Sequence, residues 1–167
     1  TAMTTRYRSI PSATTDVTAA NVLSRMLAGI GFRFYWATEG LSDELYAFRP
    51  CDGARSVGET IDHVWDLLNW TYCATGEAGP TKPGGGKLLR DGALDLIGRL
   101  QDALSQRDES ALLSIELLGK PFWPIINGPL SDVLAHTGQI ATLRRLAGSP
   151  APESNPFEGT PPRGWAG

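Results

Sequence analysis

The sequence predicts an all-α fold: a four-helix bundle with a long crossover connection. Four segments carry apolar residues at helical spacing, start and stop signals bracket them, and no run alternates in the manner of a strand. The 167 residues fit one domain able to bury its own core. They divide into an arm (1–15), a helical bundle domain (16–148) and a tail rich in proline and glycine (149–167).

The arm is polar, contains Pro11, and reads as flexible or loosely docked. Thr1 and Ala2 read as a tag remnant ahead of a natural start at Met3. In the first helix, expected over 16–39, Leu23, Leu27, Ile30, Phe34 and Thr38 fall on one face. Thr14, Thr15 or Asp16 is placed to cap its start and Gly40 to end it. Gly29 and Gly31 lower its propensity and leave room for close packing. A link follows, with Ser42-Asp43-Glu44, Pro50 and Gly53. Ser56-Val57-Gly58-Glu59 has the form of a capping box, so the second helix is expected over 57–74. Its apolar stripe is Val57, Ile61, Val64 and Leu68; a second stripe carries Glu59, His63, Asp66 and Trp70.

Residues 75–87 hold Pro80, Pro83 and three consecutive glycines and read as a loop, one without the GxxxxGK[ST] pattern of a phosphate cradle. The third helix, 89–106, rests on Ala93, Leu96 or Ile97, Leu100 and Leu104. Residues 114–123 suit a short strand, a helical turn or an extended link, and Pro121 and Pro124 argue against a continuous helix there. Pro129 opens the fourth helix, 129–147, which Gly148 closes. Arg144 and Arg145 read as surface charges at its end, and the tail as a surface wrap or a disordered segment.

A formal charge of −3 offers no field to gather nucleic acid or anionic lipid, which leaves small molecules or neutral partners. No stretch reaches the roughly 18–20 apolar residues of a membrane span. Cys51 and Cys73 share no CxxC spacing and read as free thiols in a reducing compartment, so a cytoplasmic location is expected.

Chemistry concentrates on the only two histidines. His63 lies one turn after Glu59 and His136 one turn after Asp132, so each histidine shares a helical face with a carboxylate. If the second and fourth helices are neighbours, two imidazoles and one or two carboxylates meet, a donor set for Zn²⁺, Ni²⁺ or Fe²⁺. A hydrogen-bonded histidine at the edge of a core fits the same spacing. Most of the aromatics read as core; Trp70, on the stripe of His63, reads with Asp66 as pocket wall.

Three stretches carry a resemblance: Gly40-Leu41-Ser42-Asp43-Glu44 with Phe48-Arg49-Pro50; Ser56 to Val64; and Gly128-Pro129-Leu130-Ser131-Asp132-Val133-Leu134-Ala135-His136-Thr137-Gly138-Gln139-Ile140 with Leu143 to Gly148. Over about 16–148 the chain resembles the DinB/YfiT-like superfamily of metalloenzymes, four-helix bundles with a long crossover. The resemblance implies a divalent metal held by three histidines, of which His63 matches the first and His136 the third, while Asp132 stands where the second would be. A carboxylate is a competent ligand there. Glu59 is the expected orienter of His63 or general base. The resemblance also implies transfer of a low-molecular-weight thiol and a homodimer. The residues alone leave thiol transfer and metal-assisted hydrolysis of a small molecule both open. A non-catalytic, stress-associated or structural helical protein that self-associates is the alternative.

Overall fold

The first apolar stripe becomes α1 (Ala19–Thr38), in a computed structural model that describes residues 5–165. The reading of Thr1, Ala2 and Met3 lies outside those residues. Leu23, Leu27, Ile30, Phe34 and Thr38 are all buried, as their spacing requires. The start differs from expectation. Thr18, not Thr14, Thr15 or Asp16, caps α1, its hydroxyl accepting from the Asn21 N–H at 3.2 Å. The Asp16 carbonyl instead accepts from the Thr14 hydroxyl and the Asn21 amide, which holds the chain in a turn before the helix. At the other end Gly40 takes φ +68°, the left-handed conformation that ends a helix cheaply.

A short α2 (Asp43–Ala47) occupies the link, capped by Ser42. The capping box at Ser56 forms as its sequence specifies and starts α3 (Val57–Ala74). Next come α4 (Lys87–Ser105) and the short α5 (Glu109–Leu113), which Asp108 caps. The ambiguous segment resolves into a hairpin, β1 (Glu116–Leu117) antiparallel to β2 (Lys120–Pro121). Leu118 and Gly119 between them both take positive φ, as a two-residue loop matched to strand twist demands. One turn of helix, α6 (Trp123–Ile125), and a wide turn over Ile126–Leu130 lead into α7 (Ser131–Leu146). Pro129 therefore sits in the wide turn, two residues before α7 rather than as its first residue, because Gly128 breaks helical geometry at φ −95°, ψ −108°.

α1 and α3 each pack against both α4 and α7, so the four long helices form a ring with α1 and α3 on one diagonal. The long link from α1 to α3 therefore crosses the bundle, as does the stretch from α4 to α7. Inside the ring, Val57, Ile61, Val64 and Leu68 of α3 meet Ala93, Leu96, Ile97, Leu100 and Leu104 of α4, all fully buried.

Described residues near each end of the chain pack on this core. Tyr7, in a single 3₁₀ turn, is 2% exposed, and its hydroxyl donates to Gln101 Oε1 at 2.7 Å. Its ring fills the notch over Gly31, where a Cβ would come within 2.4 Å of it; Gly29 has no such neighbour. The arm is thus docked through Arg6, Tyr7 and Arg8, with Arg6 bound to Asp102 at 2.7 Å and Arg8 donating to the Tyr35 hydroxyl at 2.9 Å, while residues 11–15 are exposed. The tail wraps the surface: the Ile10 N–H donates to the Gly159 carbonyl at 2.9 Å, and Trp165 meets Trp36 edge-on at 5.1 Å.

Arg144 corrects its reading as a surface charge. It is 3% exposed, and its guanidinium donates to the carbonyls of Ala37 (3.1 Å), Glu39 (2.7 Å) and Ser149 (3.0 Å). The last carbonyls of α1 lack partners within their own helix, and Arg144 supplies them across the bundle. Replacing Arg144 with Ala leaves these acceptors unsatisfied and is expected to cost about 3 kcal/mol. The check is a lower urea midpoint with an unchanged m-value.

Candidate metal centre

The packing of α3 on α7 brings the two histidines together. His63 comes from the second turn of α3; Asp132 and His136 come from successive turns of α7. The imidazoles meet edge to face, with centroids 4.7 Å apart and planes at 83°. Asp132 Oδ2 stands 3.9 Å from His136 Nε2, too far for a hydrogen bond. One donor atom from each of His63, Asp132 and His136 lies within 4.8 Å of the other two.

Those distances suit a divalent ion. Donors each about 2.0–2.2 Å from one tetrahedral zinc ion lie about 3.3–3.6 Å apart. Side-chain movements of about an ångström therefore close the set. Asp132, its side chain 55% exposed, is free to make such a movement, whereas His136 is 9% exposed and fixed.

Gln139 does the fixing. Its amide oxygen lies 2.8 Å from His136 Nδ1. A carbonyl oxygen only accepts, so Nδ1 is the donor, and in the neutral ring Nε2, on the side of Asp132, carries the lone pair. Metal-bound histidines are oriented by this kind of partner. Sequence reasoning gave Gln139 no role; its spacing of three from His136, one helical turn, was the available signal.

The surroundings of His63 favour its neutral form. Burial lowers its pKa first, then the positive charges of Arg55 and, when protonated, His136; Asp132 and Asp66 act in the opposite direction. A neutral imidazole is the form that binds metal.

The remaining expected site residues are engaged elsewhere. Glu59 Oε1 accepts from Arg49 at 2.7 Å and its Oε2 from the Ser56 N–H at 2.7 Å. Arg49, with the backbone bond behind it, holds the Glu59 carboxyl below its ordinary range. Both oxygens thus serve the start of α3 and not the imidazole of His63. Asp66 is bound by Lys82 at 2.7 Å, and Lys82 also reaches Asp62 and lies over the Trp65 ring. Trp70 is 42% exposed. It takes no part in the cavity beside His136, which has a volume of about 730 Å³ and runs from Thr60 and Arg55 to Gln139, Thr142 and Leu143. Cys51 and Cys73 are free and exposed.

No family model, curated protein or solved structure matches the chain. The chain therefore stands as an all-α, four-helix bundle with a His/Asp/His cluster capable of binding a metal ion. No described helix is long and apolar enough to cross a membrane.

In a proton NMR titration of the metal-free protein, His63 is expected to titrate below the ordinary histidine value of about 6.5. Asp132→Asn removes a charge that favours imidazolium and lowers its pKa further; Arg55→Gln removes one that opposes imidazolium and raises it. Because the unfolded chain then binds the proton more readily, His63 contributes stability above about pH 6.5 that fades as pH falls through its folded pKa.

Proposed function

We propose that this chain is a divalent-metal-dependent enzyme of the DinB-like type acting on a small molecule. The convergence of His63, Asp132 and His136 carries the reading. The resemblance of the His63 and His136 stretches to that family favours transfer of a low-molecular-weight thiol, with metal-assisted hydrolysis as the second chemistry. Zinc, nickel or iron suits two imidazoles and a carboxylate. Such an ion supplies Lewis acidity toward a sulfur or oxygen atom placed against it.

The chain's own residues do the rest. His63 and His136 supply neutral nitrogens from facing helices whose packing sets their separation. Gln139 holds the proton of the neutral ring on His136 Nδ1, which leaves Nε2 as the nitrogen able to ligate an ion. Asp132 contributes negative charge at the exposed edge of the cluster, which offsets the charge of the ion and leaves that side open to a substrate. Glu59 and Arg49 hold the start of α3, and with it the height of His63 in the bundle. The proposal includes a homodimer, which light scattering tests directly; a monomer mass at high concentration overturns that part.

Purified without a metal-affinity tag and then titrated, the protein is expected to take up one zinc, nickel or iron ion per chain. His63→Ala and His136→Ala should abolish stoichiometric binding, and Gln139→Ala should weaken it about ten- to a hundredfold. Failure to take up any of the three ions overturns the enzyme reading in favour of a non-catalytic helical protein. With cobalt in place, a sulfur-to-metal absorption band on addition of a thiol supports thiol transfer over hydrolysis.

A further inference from the structure

The link between α2 and α3 contains two arginines with opposite surroundings. Arg49 is fully engaged, donating to the Ala54 carbonyl and to Glu59. Arg55, on the wall of the cavity beside His136, is exposed and makes no hydrogen bond or ion pair among the described residues. Its backbone is nevertheless held on both sides. The Ala54 carbonyl accepts from Arg49, the Ala54 N–H donates to Cys51, and Ser56 is locked into the capping box. A fixed backbone thus carries a free guanidinium at the mouth of the site.

Arg55 is also the only ionic side chain on that wall among the described residues; the other polar groups there are neutral or histidine. A cation beside a metal centre is unfavourable, since each positive charge raises the cost of the other. The arrangement becomes favourable once an anion sits between them. The guanidinium fork matches a carboxylate in two parallel hydrogen bonds. One positive charge, with the Gln139 amide and the Thr142 hydroxyl as neutral polar company, suits a monoanion better than a doubly charged phosphate.

We infer that Arg55 anchors the carboxylate of a small molecule bound in the cavity beside His136, so that the substrate or cosubstrate of this site is a carboxylic acid. The inference rests on the metal-enzyme reading for its catalytic meaning, but Arg55 is tested separately from the metal. Bound carboxylate would place the rest of the molecule along α7 toward the histidines, which makes Arg55 a specificity-determining residue rather than a metal ligand.

The probes are 3-mercaptopropionate and its methyl ester, titrated into cobalt-loaded protein and read by sulfur-to-cobalt absorption. The acid is expected to bind at least about tenfold more tightly than the ester, the scale of one charge-assisted hydrogen-bond pair. Arg55→Gln should erase that difference while leaving ester affinity unchanged and cobalt affinity no lower, since a charge that repels the ion is removed; Arg55→Lys should keep part of it. Equal binding of acid and ester by the unaltered protein overturns the inference. So does an Arg55→Gln variant that weakens both equally. If the protein takes up no cobalt, the metal reading fails on its own, and Arg55 is then read by the ¹⁵N resonance of its Nε against succinate, succinamide and inorganic phosphate. A shift with succinate alone supports the carboxylate assignment. No shift with succinate, or a larger one with phosphate, overturns it.

Discussion

The carboxyl end of α1 is gripped by two buried arginines from the two helices that flank it, and the arrangement of the bundle depends on that grip. Arg90 of α4 donates to Thr38 Oγ1 at 2.9 Å and to the Tyr35 carbonyl at 3.3 Å, and pairs with Glu39. Arg144 of α7 takes the Ala37 and Glu39 carbonyls. Burying a guanidinium is tolerable only when its donors are occupied, so each arginine fixes its helix closely against α1. α3 packs chiefly against α4 and α7, and so takes its position mainly from them. His136 lies eight residues before Arg144 on one rigid helix. The height at which it meets His63 is therefore set at the far end of α7, well away from the imidazoles.

Around the site, charge has been sorted along the helices. The acidic residues on the outer side of α3 are each neutralised: Glu59 by Arg49, and Asp62 and Asp66 by Lys82. Among the described residues Asp132 has no lysine or arginine partner, only the imidazole of His136 at 3.9 Å. Of the carboxylates near His63, it alone is free to meet a cation that is not part of the chain. This sorting explains how a sequence with several acids near its histidines defines one ligand set.

What the sequence disclosed follows the range of the interactions. The apolar stripes of α1, α3 and α4 were legible because helical burial is written in local periodicity, and the capping box at Ser56 because it closes over three residues. Glu59 was legible twice, as cap and as neighbour of His63. The cap prevails because it closes a short loop with little entropy, and Arg49 reinforces it. The pairing of His63 with His136 was legible only on the condition that their helices are neighbours, which local pattern does not determine. Arg144 was misread for the same reason: a basic residue in the last turn looks alike whether it meets water or the carbonyls of another helix. The seat of Tyr7 was hidden too, although the small residue it needs, Gly31, was visible as a gap in helix propensity.

The contact of the arm with the tail bears on how the chain folds. Ile10 and Gly159 are joined by a backbone hydrogen bond, and the indole of Trp165 closes on Trp36. These contacts lie among the most distant in sequence that the molecule makes, whereas the helices form from neighbours a few residues apart. Closing so large a loop gains nothing until the bundle provides a surface for it, so this seam belongs to the late stage of folding. It is also placed to open first, by a fluctuation that leaves the helices intact. Amide protection should accordingly fall off from the bundle interior toward the joined arm and tail, giving two cooperative layers.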